Sequence, residues 1–262
     1  MKVTSIASGS SGNCICVSAD QGAILVDAGV SKKRIEEGLK NADIEINDVK
    51  ALLVTHEHID HVGGLGVMLR KYSIPVLATS ETIDAIFANK SLGKLDRSLF
   101  NSINPDNEIK LSGFDITPFS VSHDAANPVG YTFKSENKKF AVCTDLGCFD
   151  DYTVENLKDS DAVLLEANHD LRMLQSGPYP YALKRRIWGD KGHLSNEDSG
   201  KLLSKIASKK LKTVILGHLS NENNYPDLAF EVVRQIYNLN ENKSNLNLMV
   251  AKRNEYTPSV TV

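Results

Sequence analysis

Seven consecutive residues, Thr55-His56-Glu57-His58-Ile59-Asp60-His61, constrain this chain more than any other stretch. Three imidazoles and two carboxylates fall within the last six of these residues, and the seven lie directly after the apolar run Ala51-Leu52-Leu53-Val54 and just before Val62-Gly63-Gly64-Leu65. Alternate residues of a strand share a face, so a strand feeding a short loop turns His56 and His58 to one side and leaves Asp60 and His61 for a second centre. The spacing predicts two metal ions.

Hydrophobic patterning supplies the scaffold. Lys2–Ala7, Cys14–Ala19, Ala23–Val26 and Ala51–Val54 read as strands, with Ser31 capping a helix over Lys32–Lys40. A helix runs to Tyr72, Pro75–Ala78 is a short strand, and Ser80 caps a helix through Asn89. Ser91–Asn107 carries little periodicity and reads as a connection. Further strands are expected at Ile109–Leu111, Phe114–Val121, Tyr131–Lys134, Lys139–Thr144, Ala162–Leu165, Thr213–Leu216 and Leu246–Ala251. Helices are expected near Val154–Leu157, from Ser195 to about Lys209, and over Pro226–Asn238, with an amphipathic basic segment at Leu171–Gly192. With no repeat, linker or low-complexity tract, the simplest account is one mixed α/β domain over residues 1–262.

Composition narrows the class. Apolar residues at 41% and charged residues at 24% describe a soluble globular protein. The amino terminus lacks the apolar run of a signal peptide, and no stretch is apolar for the length of a membrane span. The expected location is the cytoplasm, with no membrane partner. Cys14, Cys16, Cys143 and Cys148 are too few for a disulfide framework. Cys14, Cys16 and Cys143 sit in apolar, strand-like runs, where buried small hydrophobes are a better reading than a structural zinc site. The net charge of −3 means that any polyanion must be recognised by local basic clusters.

Asp27, His56, His123, Asp145, Glu166 and His218 each lie at or just beyond the carboxyl end of an expected strand. Strand ends hold reactive groups rigidly while loops remain free, and six such placements point to one site. His56, His58 and His123 supply one metal; Asp60, His61 and His218 supply the other, with Asp145 able to bridge. Asp27 is placed behind a ligating imidazole, orienting it. Imidazole with carboxylate suits zinc, manganese or iron. Two ions about 3.5–4 Å apart can hold a bridging hydroxide and neutralise both attacking and leaving oxygens of a displacement at phosphorus.

These residues together resemble the metallo-β-lactamase superfamily, whose fold is a four-layer αββα sandwich of two face-to-face sheets with helices outside. The Ser8-Gly9-Ser10-Ser11-Gly12-Asn13 turn, Leu165-Glu166-Ala167-Asn168-His169-Asp170 and Gly192-His193-Leu194-Ser195-Asn196-Glu197-Asp198 are similar to the YycJ/WalJ branch. The resemblance implies a bacterial cytoplasmic 5′-to-3′ DNA exonuclease. By comparison with the β-CASP nucleases, Glu166 orients His193, which contacts the scissile phosphate or protonates the leaving oxygen. Asp145 and His218 lie too close in sequence for the inserted β-CASP domain, so the substrate choice of those nucleases does not transfer.

The expected catalytic groups are therefore Asp60, Glu166 and His193. Ser10, Asn13, His169, Arg185, Arg186, Ser195 and Asn196 are the expected substrate contacts, with DNA as partner and RNA an alternative. Ser195 begins a helix, where phosphate binds well. Two rival readings remain: hydrolysis of a thioester, lactone or β-lactam, and a non-enzymatic nucleic-acid-binding regulator that keeps metal for stability.

Overall fold

A computed structural model describes residues 1–239 and 245–262. The chain divides into two compact units: Met1–Pro118 with Ala125–Val129 and Lys252–Val262, and Phe119–Asp124 with Gly130–Ala251.

In the first unit, β1 (Lys2–Ala7), β2 (Cys14–Ala19) and β3 (Gly22–Val26) pair antiparallel. Helix α1 (Lys32–Asn41) follows, with the Ser31 hydroxyl accepting from the Arg34 amide. Strand β4 (Val49–Leu53) lies parallel to β3 and leads into α2 (Ile59–Val62), a single helical turn, and α3 (Leu65–Tyr72). Strand β5 (Val76–Thr79), α4 (Ser80–Ala88) and β6 (Phe100–Ile103) continue the parallel side. β7 (Ile109–Leu111) pairs antiparallel with β8 (Phe114–Ser120), and Val260–Thr261 pairs with β1.

The second unit contains β9 (Val129–Ser135) and β10 (Lys138–Cys143), an antiparallel hairpin, then α5 (Asp151–Leu157) and β11 (Ala162–Glu166). Helices α6 (Leu171–Ser176), α7 (Tyr181–Trp188) and α8 (Asn196–Ile206) precede β12 (Thr213–Gly217), α9 (Pro226–Asn238) and β13 (Asn247–Val250). β10 to β13 are parallel neighbours in chain order. The two sheets are thus both mixed, seven strands each, in orders Val260–Thr261-β1-β2-β3-β4-β5-β6 and β13-β12-β11-β10-β9-β8-β7.

Parallel strands are covered on both faces, so β11 and β12 are buried at every residue and read as unbroken apolar runs. Alternation still selects partners. Ala141 and Cys143, Val163 and Leu165, and Val214 and Leu216 form one face, in one cluster with Leu202, Leu203 and Ile206 of α8 and Val233 of α9. In the first unit Cys14, Cys16, Leu25, Leu52 and Val76 share a cluster with Ile35 and Leu39 of α1 and Met68 of α3. The cysteines Cys14, Cys16 and Cys143 are therefore core residues with unbonded thiols. Burial pushes the Cys16 thiol up to about 12 and raises the other two as well. Cys148 is exposed.

Three local expectations change. Ser80 is the first residue of α4, and the cap is Thr79, whose hydroxyl accepts from the Thr82 amide. The Ser91–Asn107 connection contains β6, an edge strand with two exposed residues and hence no alternating signal. The basic segment at Leu171–Gly192 is broken at Gly177-Pro178 into α6 and α7. No helix among the described residues is long and apolar enough to cross a membrane.

Candidate metal centre

In the first unit the histidine loop is fixed by backbone hydrogen bonds before any side chain acts. The Asn13 amide donates to the Asp60 carbonyl at 2.8 Å, Ala28 to His61 at 2.8 Å, and Gly64 to Ala28 at 2.7 Å. A Cβ on Gly29 would lie 1.6 Å from the Asp60 carbonyl oxygen, so only glycine permits this approach. α2 makes Asp60 and His61 neighbours on one helical turn, with His61 Nε2 and Asp60 Oδ2 3.5 Å apart.

Asp27, directly after β3, organises the imidazoles. Its Oδ2 is 2.7 Å from His61 Nδ1, and its Oδ1 accepts from the Thr55 amide at 2.8 Å. The Thr55 hydroxyl donates to Asp27 and stands 3.0 Å from His56 Nδ1. With each Nδ1 carrying the hydrogen toward these partners, Nε2 is the lone-pair side of His56 and His61, and that of His61 accepts from the Asn13 side-chain amide at 3.0 Å. His58 Nδ1 lies 3.1 Å from His56 Nε2. Thr55 was not among the residues singled out by sequence. Its only signal is its place immediately before the first histidine.

The second unit uses strand ends instead of a loop. His123 follows β8, and its Nδ1 donates to the Gly192 carbonyl at 2.9 Å. His218 follows β12, and its Nδ1 donates to Glu166 Oε1 at 3.0 Å. The two Nε2 atoms converge on Asp145 Oδ1, at 3.8 Å and 3.4 Å. At a bond length of about 2.1 Å, donors around one tetrahedral ion stand roughly 3.4 Å apart, so His218 and Asp145 fit as ligands of one divalent cation. Burial is the largest influence on His123 and lowers its pKa, keeping it in the neutral form that ligates.

Glu166, the last residue of β11, is fully buried and accepts four hydrogen bonds. Oε1 takes those of His193 Nδ1 at 2.8 Å and His218 Nδ1; Oε2 takes the amides of Leu146 at 2.9 Å and Leu194 at 3.3 Å. Burial alone would raise its pKa, but His193 and these hydrogen bonds outweigh it and hold the carboxyl below its ordinary range. All four acceptor positions are occupied, so Glu166 orients imidazoles. His193 is itself placed by its amide, which donates to Ile187 at 2.7 Å. A Cβ on Gly147 would lie 2.4 Å from Gly189 O and Gly192 N, which shows how closely the turn before His193 packs beside Asp145.

Three of these residues carry left-handed backbone: Asp27 (φ 63°), Asp145 (φ 58°) and His218 (φ 55°). Such a conformation costs about 1–3 kcal/mol in a residue with a side chain and persists where surrounding structure enforces it. It re-aims each side chain just as its strand ends.

Among the expected substrate contacts, several have other roles. Asn13 is buried, accepting from the Gly9 amide at 2.9 Å and standing 3.0 Å from His61 Nε2, so it braces the imidazole. The Ser195 hydroxyl caps α8, accepting from the Asp198 amide at 3.0 Å. Asn196 is fully buried in a reciprocal amide pair with Asn224. Both side chains are therefore structural, because the helix entry itself consumes their polar atoms. Arg186 forms a bidentate ion pair with Asp124, next to His123, and so steadies a metal candidate instead of presenting a free cation. Ser10 is exposed beside Arg253. Arg185 is exposed with no bonded partner among the described residues.

His169 is 1% exposed and neither ring nitrogen has a hydrogen-bond partner among the described residues. Burial drives its pKa down to about 4, so it is neutral. Asn168, which sequence did not single out, donates to the His218 carbonyl at 2.9 Å and fixes the turn that carries this ligand.

The profile of the beta-lactamase superfamily domain matches residues 23–218, from β3 to His218. Exodeoxyribonuclease YycJ of Bacillus anthracis is 41% identical over 234 residues, 88% of this chain and 87% of that protein. This chain belongs to the metallo-β-lactamase superfamily. Within it, exodeoxyribonuclease WalJ of Streptococcus pneumoniae (strain D39) is 40% identical over 87% of this chain and 85% of that protein, which places the superfamily member here in the YycJ/WalJ family. The metallo-β-lactamase fold protein YhfI from Bacillus subtilis shares the fold, with TM-score 0.71 at 15% identity over 98% of both chains.

Proposed function

We propose that this metallo-β-lactamase superfamily member is a metal-dependent exonuclease that removes nucleotides from the 5′ end of DNA in the cytoplasm. The observation that carries the reading is Glu166: one buried carboxylate holds both a metal-ligand candidate, His218, and a half-buried histidine, His193, that the ligand set does not require. Family membership with the YycJ and WalJ exodeoxyribonucleases supports the phosphodiester bond as target. We take the chain as a single domain of this fold, without an inserted β-CASP domain.

In this reading His56, His58 and His123 would hold one divalent ion and Asp60, His61 and His218 a second, with Asp145 available to both. Zinc, manganese or iron bound there would activate a water and offset charge on the phosphate oxygens. The protein's own groups do the rest. Asp27 and Glu166 fix the Nδ1 sides of His61 and His218 and so present Nε2. Glu166 holds His193 through Nδ1 at 2.8 Å, which leaves Nε2 as the ring position from which His193 would deliver a proton to the leaving oxygen.

Degradation of 5′-labelled and 3′-labelled DNA duplexes, and of matched RNA, with manganese, magnesium or zinc added tests this reading. Shortening from the 5′ end of DNA is expected. A ladder growing from the 3′ end would overturn the polarity, and equal digestion of RNA would overturn the preference. Intact substrates with every metal would overturn the nuclease reading itself.

A further inference from the structure

Helix α7 has a solvent face that the catalytic reading does not use. At 3.6 residues per turn, Tyr181, Lys184, Arg185 and Trp188 fall within an arc of about 100°. The opposite side carries the half-buried Leu183 and Ile187 and the paired Arg186. Tyr181 is 71% exposed and Trp188 48% exposed, although large aromatics ordinarily bury most of their surface. Two aromatic rings about 10 Å apart along the axis, with Lys184 and Arg185 between them, span some three base steps at 3.4 Å.

Charge singles out the same segment. Between Leu171 and Gly192 there are five cations and one carboxylate, in a chain whose net charge is −3. Lys184 reaches the Gln175 carbonyl and Arg186 is paired with Asp124, but Arg172, Arg185 and Lys191 have no bonded partner among the described residues. A protein partner of ordinary acidity would be matched by cations alone. Exposed rings alternating with cations match a single-stranded nucleic acid, whose bases stack on the rings while its phosphates meet the cations.

The helix is also coupled to the site. The Ile187 carbonyl accepts the His193 amide, and the turn after Trp188 is clasped by Ser122, whose hydroxyl donates to Asp190 O at 2.7 Å, and by the Asp124 amide, which donates to Lys191 O at 3.0 Å. A strand lying along α7 therefore arrives at His193 within one short turn.

The geometry points to the face of α7 that exposes Tyr181, Arg185 and Trp188, with the half-buried Lys184 at its edge, as the platform on which a single-stranded end of the nucleic-acid substrate stacks before its phosphate reaches His193. This inference rests on the nuclease reading above, but its test does not need catalysis. Trp188 is the only tryptophan in the chain, so its fluorescence reports on this face alone. With EDTA present to prevent cleavage, titration with a short oligothymidylate should quench the Trp188 emission. Tyr181→Ala should weaken binding roughly tenfold or more. Arg185→Ala should weaken it and reduce the slope of log K against log salt by about 0.7, the value for one phosphate on a single strand.

With metal present, Trp188→Ala should raise KM for an oligonucleotide about tenfold, Trp188→Phe should restore it, and both should hydrolyse bis(p-nitrophenyl) phosphate at the wild-type rate. An emission unchanged by oligothymidylate, or aromatic variants that bind and digest oligonucleotides like wild type, would overturn the platform. Failure of the wild type to cleave any nucleic acid or diester would instead overturn the nuclease reading, leaving the titration to decide the platform by itself.

Discussion

The two units solve the same problem by different means. In the first, four candidate ligands lie within His56–His61, on a loop pinned by backbone hydrogen bonds to Asn13 and Ala28. In the second, His123, Asp145 and His218 come from three separate strand ends, with Glu166 and His193 from two further places in the chain. The loop can form its donor cluster from local chain geometry. The strand-end set exists only when a mixed sheet is in register, since one residue of slip moves every side chain to the other face. Each unit nonetheless puts a buried carboxylate behind an imidazole: Asp27 behind His61 and Glu166 behind His218. Asp27 serves the loop alone, whereas Glu166 also holds His193.

Asp145→Asn should have the largest effect, because it removes the carboxylate on which His123 and His218 converge. Loss of about 10³-fold or more in kcat/KM, together with reduced metal content by elemental analysis, is expected. Full turnover at full occupancy would place the shared ligand elsewhere. The matched pair Asp27→Asn and Glu166→Gln tests the contrast directly. Each should weaken metal affinity about 10–100-fold. At saturating metal, Glu166→Gln should still depress kcat and alter the pH–rate profile, while Asp27→Asn should recover; equal residual defects would erase the distinction.

A smaller effect concerns His169. Its folded pKa of about 4 lies below the ordinary 6.5, so between those values the unfolded chain binds the proton and the folded one does not. Stability is therefore lost as pH falls from 6.5 toward 4, by about 3 kcal/mol at most. Urea unfolding of metal-free protein should show this slope, and His169→Gln should flatten it. The smallest effect is expected for Ser195→Ala: loss of a helix cap worth about 1 kcal/mol, with KM for DNA unchanged. A raised KM without a stability loss would return Ser195 to the substrate.

What sequence revealed follows the same contrast. The His56–His61 cluster was legible from spacing alone. The strand-end residues were legible because buried parallel strands are unbroken apolar runs, so a polar residue directly after Val26, Leu165 or Gly217 stands out. β6 was not, since an edge strand reading Phe-Asn-Ser-Ile has neither alternation nor a full apolar run. The partners of Ser195, Asn196 and Arg186 were also hidden. A hydroxyl, an amide or a guanidinium looks available in a sequence until the fold supplies Asp198, Asn224 or Asp124. Fold membership was carried by the ligand pattern, and the division into two compact units was not visible at all.

The distribution of the four thiols has an optical consequence. Cys14, Cys16 and Cys143 are sealed in the cores with raised pKa values, which suppresses the reactive thiolate, while Cys148 is exposed three residues beyond Asp145. A maleimide dye should attach at one position, and the same unit contains the sole indole, Trp188. The unmutated sequence is thus a ready donor–acceptor ruler across the second unit, on which the arrival of a strand or an ion can be read as a change in energy transfer.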